Sequence, residues 1–160
     1  MSESEESEPV REDLPERDWL LSMLVGAANE IPISFGVTLN VPGGLVSGIV
    51  VSGNEYLHGI ASEMEQAGPL GESFGRVMRS IAVSQYPMTQ MRSEAGADNV
   101  AEESEIDLTD PERRVAFIHL KDARIFNTDQ PIPGDRGVWW RGKLSEVAGF
   151  SFGNLSTVEV

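Results

Sequence analysis

The two histidines are the first side chains to consider for chemistry, because histidine is a common general base and metal ligand at neutral pH. His58 lies in a pattern typical of a helix and has no second histidine at the spacing of a zinc motif. His119 lies inside the apolar run Val-Ala-Phe-Ile-His-Leu, where a structural role is more common than a catalytic one. Nothing in the sequence fixes the two rings near each other, so we expect neither to be catalytic.

Other catalytic signatures are missing from the sequence. The chain has no cysteine, which excludes disulfides, thiolate metal sites and cysteine nucleophiles. It also has no nucleophile elbow, no phosphate-binding glycine loop and no calcium-loop spacing among its acids. Its 26 acidic residues fall largely in segments that are poorly suited to holding a rigid geometry. We therefore predict no catalytic, metal-binding or cofactor-binding residues and no cofactor, and an enzyme is the least favoured alternative.

The tryptophan pair Trp139-Trp140 carries more information. Successive strand residues point to opposite faces, so Trp140 is expected in the core with Val138 and Leu144. Trp139 would then share the other face with Arg141 and Lys143. Tryptophan and arginine are enriched at interfaces, so these three residues form a candidate interface for self-association or a partner. The alternative is that neighbouring helices of the same chain cover both rings.

Charge is concentrated in two stretches of the chain. Residues 1–18 hold eight acids and two bases, and residues 94–112 hold eight acids and no base. Together these stretches account for the whole net charge of −14. Both are poor in aromatics, so we predict a disordered acidic tail over 1–13 and an acidic flexible loop over 86–112. The simplest interpretation of such acidic stretches is that they keep the protein solvated.

The charge balance also bears on partners and location. A net charge of −14 argues against a protein whose affinity comes from covering phosphates, so a nucleic-acid partner is not expected. The acidic amino terminus is unlike a secretory signal, and no apolar run approaches the roughly 20 residues of a membrane span. We expect a cytoplasmic protein with no membrane partner. Its acidity and its ten arginines against two lysines fit a source that lives in high salt.

The order of secondary structure predicts the fold class. Apolar spacing predicts a helix from Pro15 to near Asn29, and strict alternation from Ile33 to Val41 predicts a strand that continues into a hairpin. A helical insertion follows over 54–85, with Asn54 as a candidate cap and Gly68-Pro69 between two helices. Strand patterns return after residue 115. We predict one α+β domain over 14–160, built as a small antiparallel Sm-like or SH3-like barrel with an amino-terminal helix.

Several blocks of the sequence resemble one known family. They are Phe117-Ile118-His119-Leu120-Lys121, Ile125-Phe126, Trp140-Arg141-Gly142-Lys143, Glu146-Val147, Gly149-Phe150 and Gly153, with Leu39-Asn40-Val41, Val46-Ser47-Gly48 and Glu55-Tyr56-Leu57 in the amino-terminal half. Together they resemble the gas vesicle protein GvpU family over about residues 33–85 and 115–156.

The resemblance implies a non-enzymatic accessory protein of gas vesicles, the protein-walled compartments that give buoyancy to aquatic microbes. GvpU-like proteins are associated with vesicle clustering, so the expected partners are further copies of the chain and the vesicle shell or other gas vesicle proteins. The acidic tail and the detail of the acidic loop depart from the family pattern. An Sm-like nucleic-acid-binding or regulatory module is the alternative interpretation.

Overall fold

The computed structural model describes residues 17–87, 115–127 and 130–155. Along the chain these form α1 (Trp19–Glu30), β1 (Phe35–Val41), β2 (Gly44–Val51), α2 (Gly53–Glu65), α3 (Pro69–Gln85), β3 (Phe117–Phe126), β4 (Val138–Lys143), a 3-10 turn (Leu144–Glu146) and β5 (Gly149–Phe152). The combination of helices with an antiparallel sheet confirms the predicted α+β class. The predicted tail over 1–13 and most of the predicted loop over 86–112 lie outside the described residues.

The five strands form one open sheet in the order β4-β3-β2-β1-β5, and every neighbouring pair is antiparallel. A tight turn at Pro42-Gly43 joins β1 to β2, as the alternating pattern and turn residues predicted. The described strands do not form the predicted Sm-like or SH3-like barrel. Within the described residues β4 and β5 lie at opposite edges, because the short strand β5 pairs with β1 alone and no ladder joins it to β4.

The hydrophobic core lies between α1 and one face of the sheet. The α1 helix begins after Asp18, whose side chain accepts a hydrogen bond from the Leu21 amide at 2.9 Å and so caps the helix. The predicted start at Pro15 lies outside the described residues. The buried core side chains are Leu21, Val25, Ala28, Val37, Leu39, Val46, Val50, Ile118, Leu120, Ala123 and Leu144.

The opposite face of the sheet is covered by α2, which packs on β3 and β4. Ser52, and not Asn54 as predicted, caps α2, because its hydroxyl accepts from the Glu55 amide at 3.0 Å. Asn54 is buried and its side-chain amide donates to the carbonyls of Ala82 at 3.3 Å and Tyr86 at 3.0 Å. Asn54 therefore joins the start of α2 to the end of α3.

The third helix packs mainly on α2, through small residues. A side chain at Gly71 would collide with the Met64 carbonyl, and a Cβ at Gly75 would lie 3.1 Å from the Ala61 carbonyl oxygen. Ala82 is fully buried in the same contact region. Four large apolar residues of α3 lie on a different face, and that face is exposed: Leu70, Phe74, Val77 and Ile81.

Candidate protein interface

The three residues predicted as an interface lie on β4, which is an edge strand of the sheet. Trp140 is packed against the hydrophobic core, and Trp139 contacts α2 on the opposite face. Strand alternation places Arg141 and Lys143 on the same face as Trp139. The predicted core side is therefore confirmed for Trp140 and Leu144 but is wrong for Val138, which is 42% exposed at the start of β4.

Trp139 is half-buried beneath α2 of its own chain. Its ring meets the Tyr56 ring edge-on, with 6.1 Å between the centroids. A methyl group on Gly59 would collide with the indole, so the absence of a side chain at Gly59 is what lets the helix approach. One α2 surface thus covers part of the indole, whereas Trp140 lies on the far side of the strand.

Arg141 and Lys143 are the exposed members of the predicted set. The Arg141 guanidinium lies 3.7 Å from the centroid of the Phe117 ring on the neighbouring strand, a cation–π contact that orients the side chain. Within the part of the chain that the structure describes, neither cation forms a salt bridge. Both charges therefore remain available to carboxylates on another molecule.

His119 lies on the neighbouring strand β3, where it pairs with Arg141 of β4. It is 1% exposed, between the rings of Tyr56 and Tyr86 at centroid distances of 4.8 Å and 5.5 Å. Burial, and then the positive charge of Arg141, lower the pKa of His119 to about 4. The imidazole is therefore uncharged at neutral pH, and its Nδ1 atom has no hydrogen-bond partner among the described residues.

His58 lies apart from His119, in the contact between α2 and α3. Arg79 donates a hydrogen bond to His58 Nδ1 at 2.9 Å and forms a salt bridge with Glu65 at 3.0 Å. The hydrogen bond from Arg79 lowers the pKa of Glu65. Among the residues described, no three His, Asp or Glu side chains come close enough to hold a metal ion.

A cavity of about 380 Å³ opens on the core side of β4, and the sequence analysis did not predict it. The Trp140 ring lies over Gly142, where any side chain would collide with it, so the strand and indole form an apolar wall. The sequence feature that could have indicated it is the two-residue spacing of Trp140 and Gly142, which places both on one face of a strand. The lining residues are Val41, Pro42, Gly43, Gly44, Val46, Ile125, Trp140, Gly142, Lys143 and Glu146.

None of the helices in the described ranges combines the length and the apolar character that crossing a bilayer requires.

Comparison with known proteins gives one result that bears on identity. No curated protein and no solved structure matches this chain. A family model described as gas vesicle protein GvpU-like matches residues 18–155, which is nearly the whole chain and includes every described element from α1 to β5. The match confirms the resemblance that the sequence blocks around Phe117 and Trp140 indicated. The chain belongs to the GvpU-like family of gas vesicle proteins.

Proposed function

We propose that this protein is a non-enzymatic gas vesicle accessory protein that acts in vesicle assembly or clustering. In this proposal it associates with itself and with the vesicle shell or another gas vesicle protein in the cytoplasm. The observation that carries the proposal is the family match over residues 18–155. The near-neutral charge of the described body supports it, because nine acids and eight bases leave little repulsion between copies.

The β4 surface is the proposed contact with the partner. Arg141 and Lys143 present two exposed cations beside the rings of Phe117 and Trp139. Carboxylates on a partner would pair with the cations, while its apolar groups would pack on the exposed part of the rings. An arrangement of this kind is typical of protein interfaces and requires no chemical transformation of the partner.

Flotation with isolated gas vesicles tests the proposal directly. Intact vesicles rise during centrifugation because they contain gas, so a bound protein rises with them. We expect the full-length protein to float with intact vesicles and to gather them into clusters visible by microscopy. Protein that stays in the lower layer at every salt concentration, with vesicles left dispersed, contradicts the proposal.

Charge reversal on β4 tests whether this strand is the surface that contacts the partner. Arg141→Glu should reduce the fraction of protein that floats by several-fold, because it replaces an exposed cation with a repelling carboxylate. Arg136→Glu is the matched control, since Arg136 is also an exposed cation but belongs to neither β4 nor α3. Equal flotation of the Arg141 and Arg136 variants would rule out β4 as the contact surface.

The alternative is a nucleic-acid-binding or regulatory module, which the exposed cations of β4 favour. A filter-binding assay with RNA over a salt series separates the two functions. Phosphate binding predicts retention that falls steeply as salt rises, because the cations release counterions when they bind. The accessory role predicts no retention of RNA at moderate salt.

A further inference from the structure

The outer face of α3 carries a row of large apolar side chains that the described residues leave uncovered. The exposed fractions are 72% for Leu70, 51% for Phe74, 51% for Val77 and 37% for Ile81. Exposed apolar side chains are ordinary when they are scattered, but a contiguous row along one helix is typical of an interaction site.

The spacing of this row identifies the kind of partner that fits it. The four residues are separated by four, three and four positions, which is the spacing of the a and d positions of a helix–helix seam. We call Leu70, Phe74, Val77 and Ile81 the α3 seam. A row with this repeat packs best against another helix, whose side chains fill the gaps between its own.

The other helices in the described part of the chain do not pack on the seam. The contact with α2 is made by a different face of α3, where Gly71, Gly75 and Ala82 allow close approach of the two backbones. Small residues thus face the internal partner, whereas large residues face outward. Burying the seam would release water from apolar surface and would leave the α2–α3 contact unchanged.

The four seam residues and the residues that flank them are uncharged, and the nearest cation is Arg76, whose guanidinium donates to Ser73 on one border at 3.1 Å. Ser73 and Ser80 lie along one side and Met78 lies along the other, while Arg79, on another face, is held by Glu65 of α2. Two copies of a chain with a net charge of −14 can therefore meet along this seam without placing like charges opposite each other. A neutral, self-complementary surface of this kind fits a second copy better than it fits an acidic or basic partner.

We infer that α3 binds α3 of a second copy in antiparallel orientation, across a two-fold axis near residues 75 and 76. The spacing is the same in both directions along the helix, so this arrangement sets Phe74 against Val77 of the other copy and Leu70 against Ile81. Each layer then combines side chains of similar total volume. A parallel arrangement would set two phenylalanines in one layer and two valines in the next.

The area available fits a weak dimer. With about 150–200 Å² for each large apolar side chain, the exposed fractions of the seam amount to about 350 Å² per copy. At the usual apolar share, the whole interface would bury about 600 Å² per copy, at the lower end for specific complexes. We expect a monomer–dimer equilibrium of the full chain in the micromolar range.

Sedimentation equilibrium of the full-length protein tests the seam. Phe74→Gln should weaken the dimer by about tenfold or more, because it removes the largest side chain at the centre of the seam. Val83→Gln is the matched control, since Val83 is 55% exposed on another face of the same helix. A monomeric wild-type chain, or equal weakening by the two variants, overturns the inference. Circular dichroism should show the same helix content in all three proteins.

Cross-linking tests the orientation, and the absence of natural cysteines makes single-cysteine variants unambiguous. A mixture of Phe74→Cys and Val77→Cys proteins should give a covalent heterodimer on mild oxidation, at higher yield than either variant alone. The highest yield from Phe74→Cys alone would overturn the antiparallel arrangement, because that link requires the two residues 74 to face each other.

This inference deepens the proposed function and rests on its self-association. The two can fail separately. A dimer that forms through α3 while the protein neither floats with vesicles nor clusters them overturns the proposed function alone. Protein that floats with vesicles but stays monomeric in solution, with flotation unaffected by Phe74→Gln, overturns the α3 dimer alone.

Discussion

His119 shows how one side chain links the edge of the sheet to the stability of the fold. The ring is packed between two tyrosines and faces the Arg141 side of the sheet, so a proton on it would be buried near a positive charge. The same burial raises the pKa of Tyr56. A neutral imidazole here fits packing, and it explains why the histidine lies inside an apolar strand pattern.

The lowered pKa of His119 predicts a pH dependence of stability. The unfolded chain takes up a proton below pH 6.5, whereas the native ring stays neutral to a pKa of about 4. The stabilisation is therefore present above pH 6.5 and lost as pH falls, by about 2 kcal/mol between pH 7 and 5. Urea unfolding across this range measures the loss.

A variant without the imidazole provides the control for that prediction. His119→Leu should flatten the dependence of unfolding free energy on pH above pH 5, where carboxylates remain ionised. A wild-type slope in the His119 variant would show that another group causes the effect.

At the scale of elements, the packing of α2 on β4 depends on Gly59. Glycine in the middle of a helix ordinarily costs about 1 kcal/mol relative to alanine. Gly59→Ala should nevertheless destabilise the protein, by about 1–3 kcal/mol, because its methyl group collides with the Trp139 ring. Tryptophan fluorescence during urea unfolding reports both the stability and the displaced ring.

Gly26 of α1 is the matched control for this substitution. A Cβ at Gly26 would lie 3.6 Å from a methyl carbon of Val115, which is ordinary contact. Gly26→Ala should therefore stabilise the protein by up to about 1 kcal/mol. If both alanine variants were stabilising, the described contact between α2 and Trp139 would be wrong.

The elements themselves were largely predictable, because local patterns determine them. Alternation from Phe35 to Val41 and the apolar run into Phe126 correspond to β1 and β3. The helix caps were harder, since Ser52 and Asn54 are both good capping residues and only the path of α3 assigns Asn54 to the carbonyls of Ala82 and Tyr86. The sequence could not show that the sheet stays open, because closing it into a barrel depends on pairing between strands at distant edges.

The candidate site was predictable only in part, for a related reason. The alternation of β4 separates Trp139 from Trp140, and the structure has them on opposite faces. Which helix covers Trp139 depends on Gly59, whose role appears only when α2 is placed on the sheet. The exposure of the α3 face could not be predicted either. Phe74 and Val77 show the same helical spacing whether they pack inside their own chain or against a second molecule.

For the whole molecule, the distribution of charge predicts how the proposed self-association responds to salt. The described residues contain nine acids and eight bases, so nearly all of the net −14 lies elsewhere in the chain. Repulsion between the acidic stretches of two copies would oppose the proposed self-association at low salt. At 1 M salt it is screened beyond about 3 Å, while apolar contacts persist. Association of the body should therefore increase with salt.

Light scattering over a sodium chloride series measures this effect. We expect particle size to rise with salt in the full-length protein, and to rise at lower salt when residues 1–13 are removed, since that deletion removes six acids and one base. A tail of equal length with its acids replaced by Asn and Gln is the control, and it should behave like the deletion. A particle size that changes neither with salt nor with removal of residues 1–13 would contradict this prediction.

The attachment of α3 has a mechanical consequence. If two copies hold vesicles together through their third helices, any pull on one vesicle enters the chain at α3 and reaches the sheet by way of α2. The force would pass through the close glycine contacts between α2 and α3, the hydrogen bonds of the Asn54 amide, and the contact between Gly59 and the Trp139 indole. Because α2 and α3 lie side by side, tension along the pair loads their contacts as shear, in which many weak contacts resist together. The small residues between these helices would then set how much force a cluster bears before it parts.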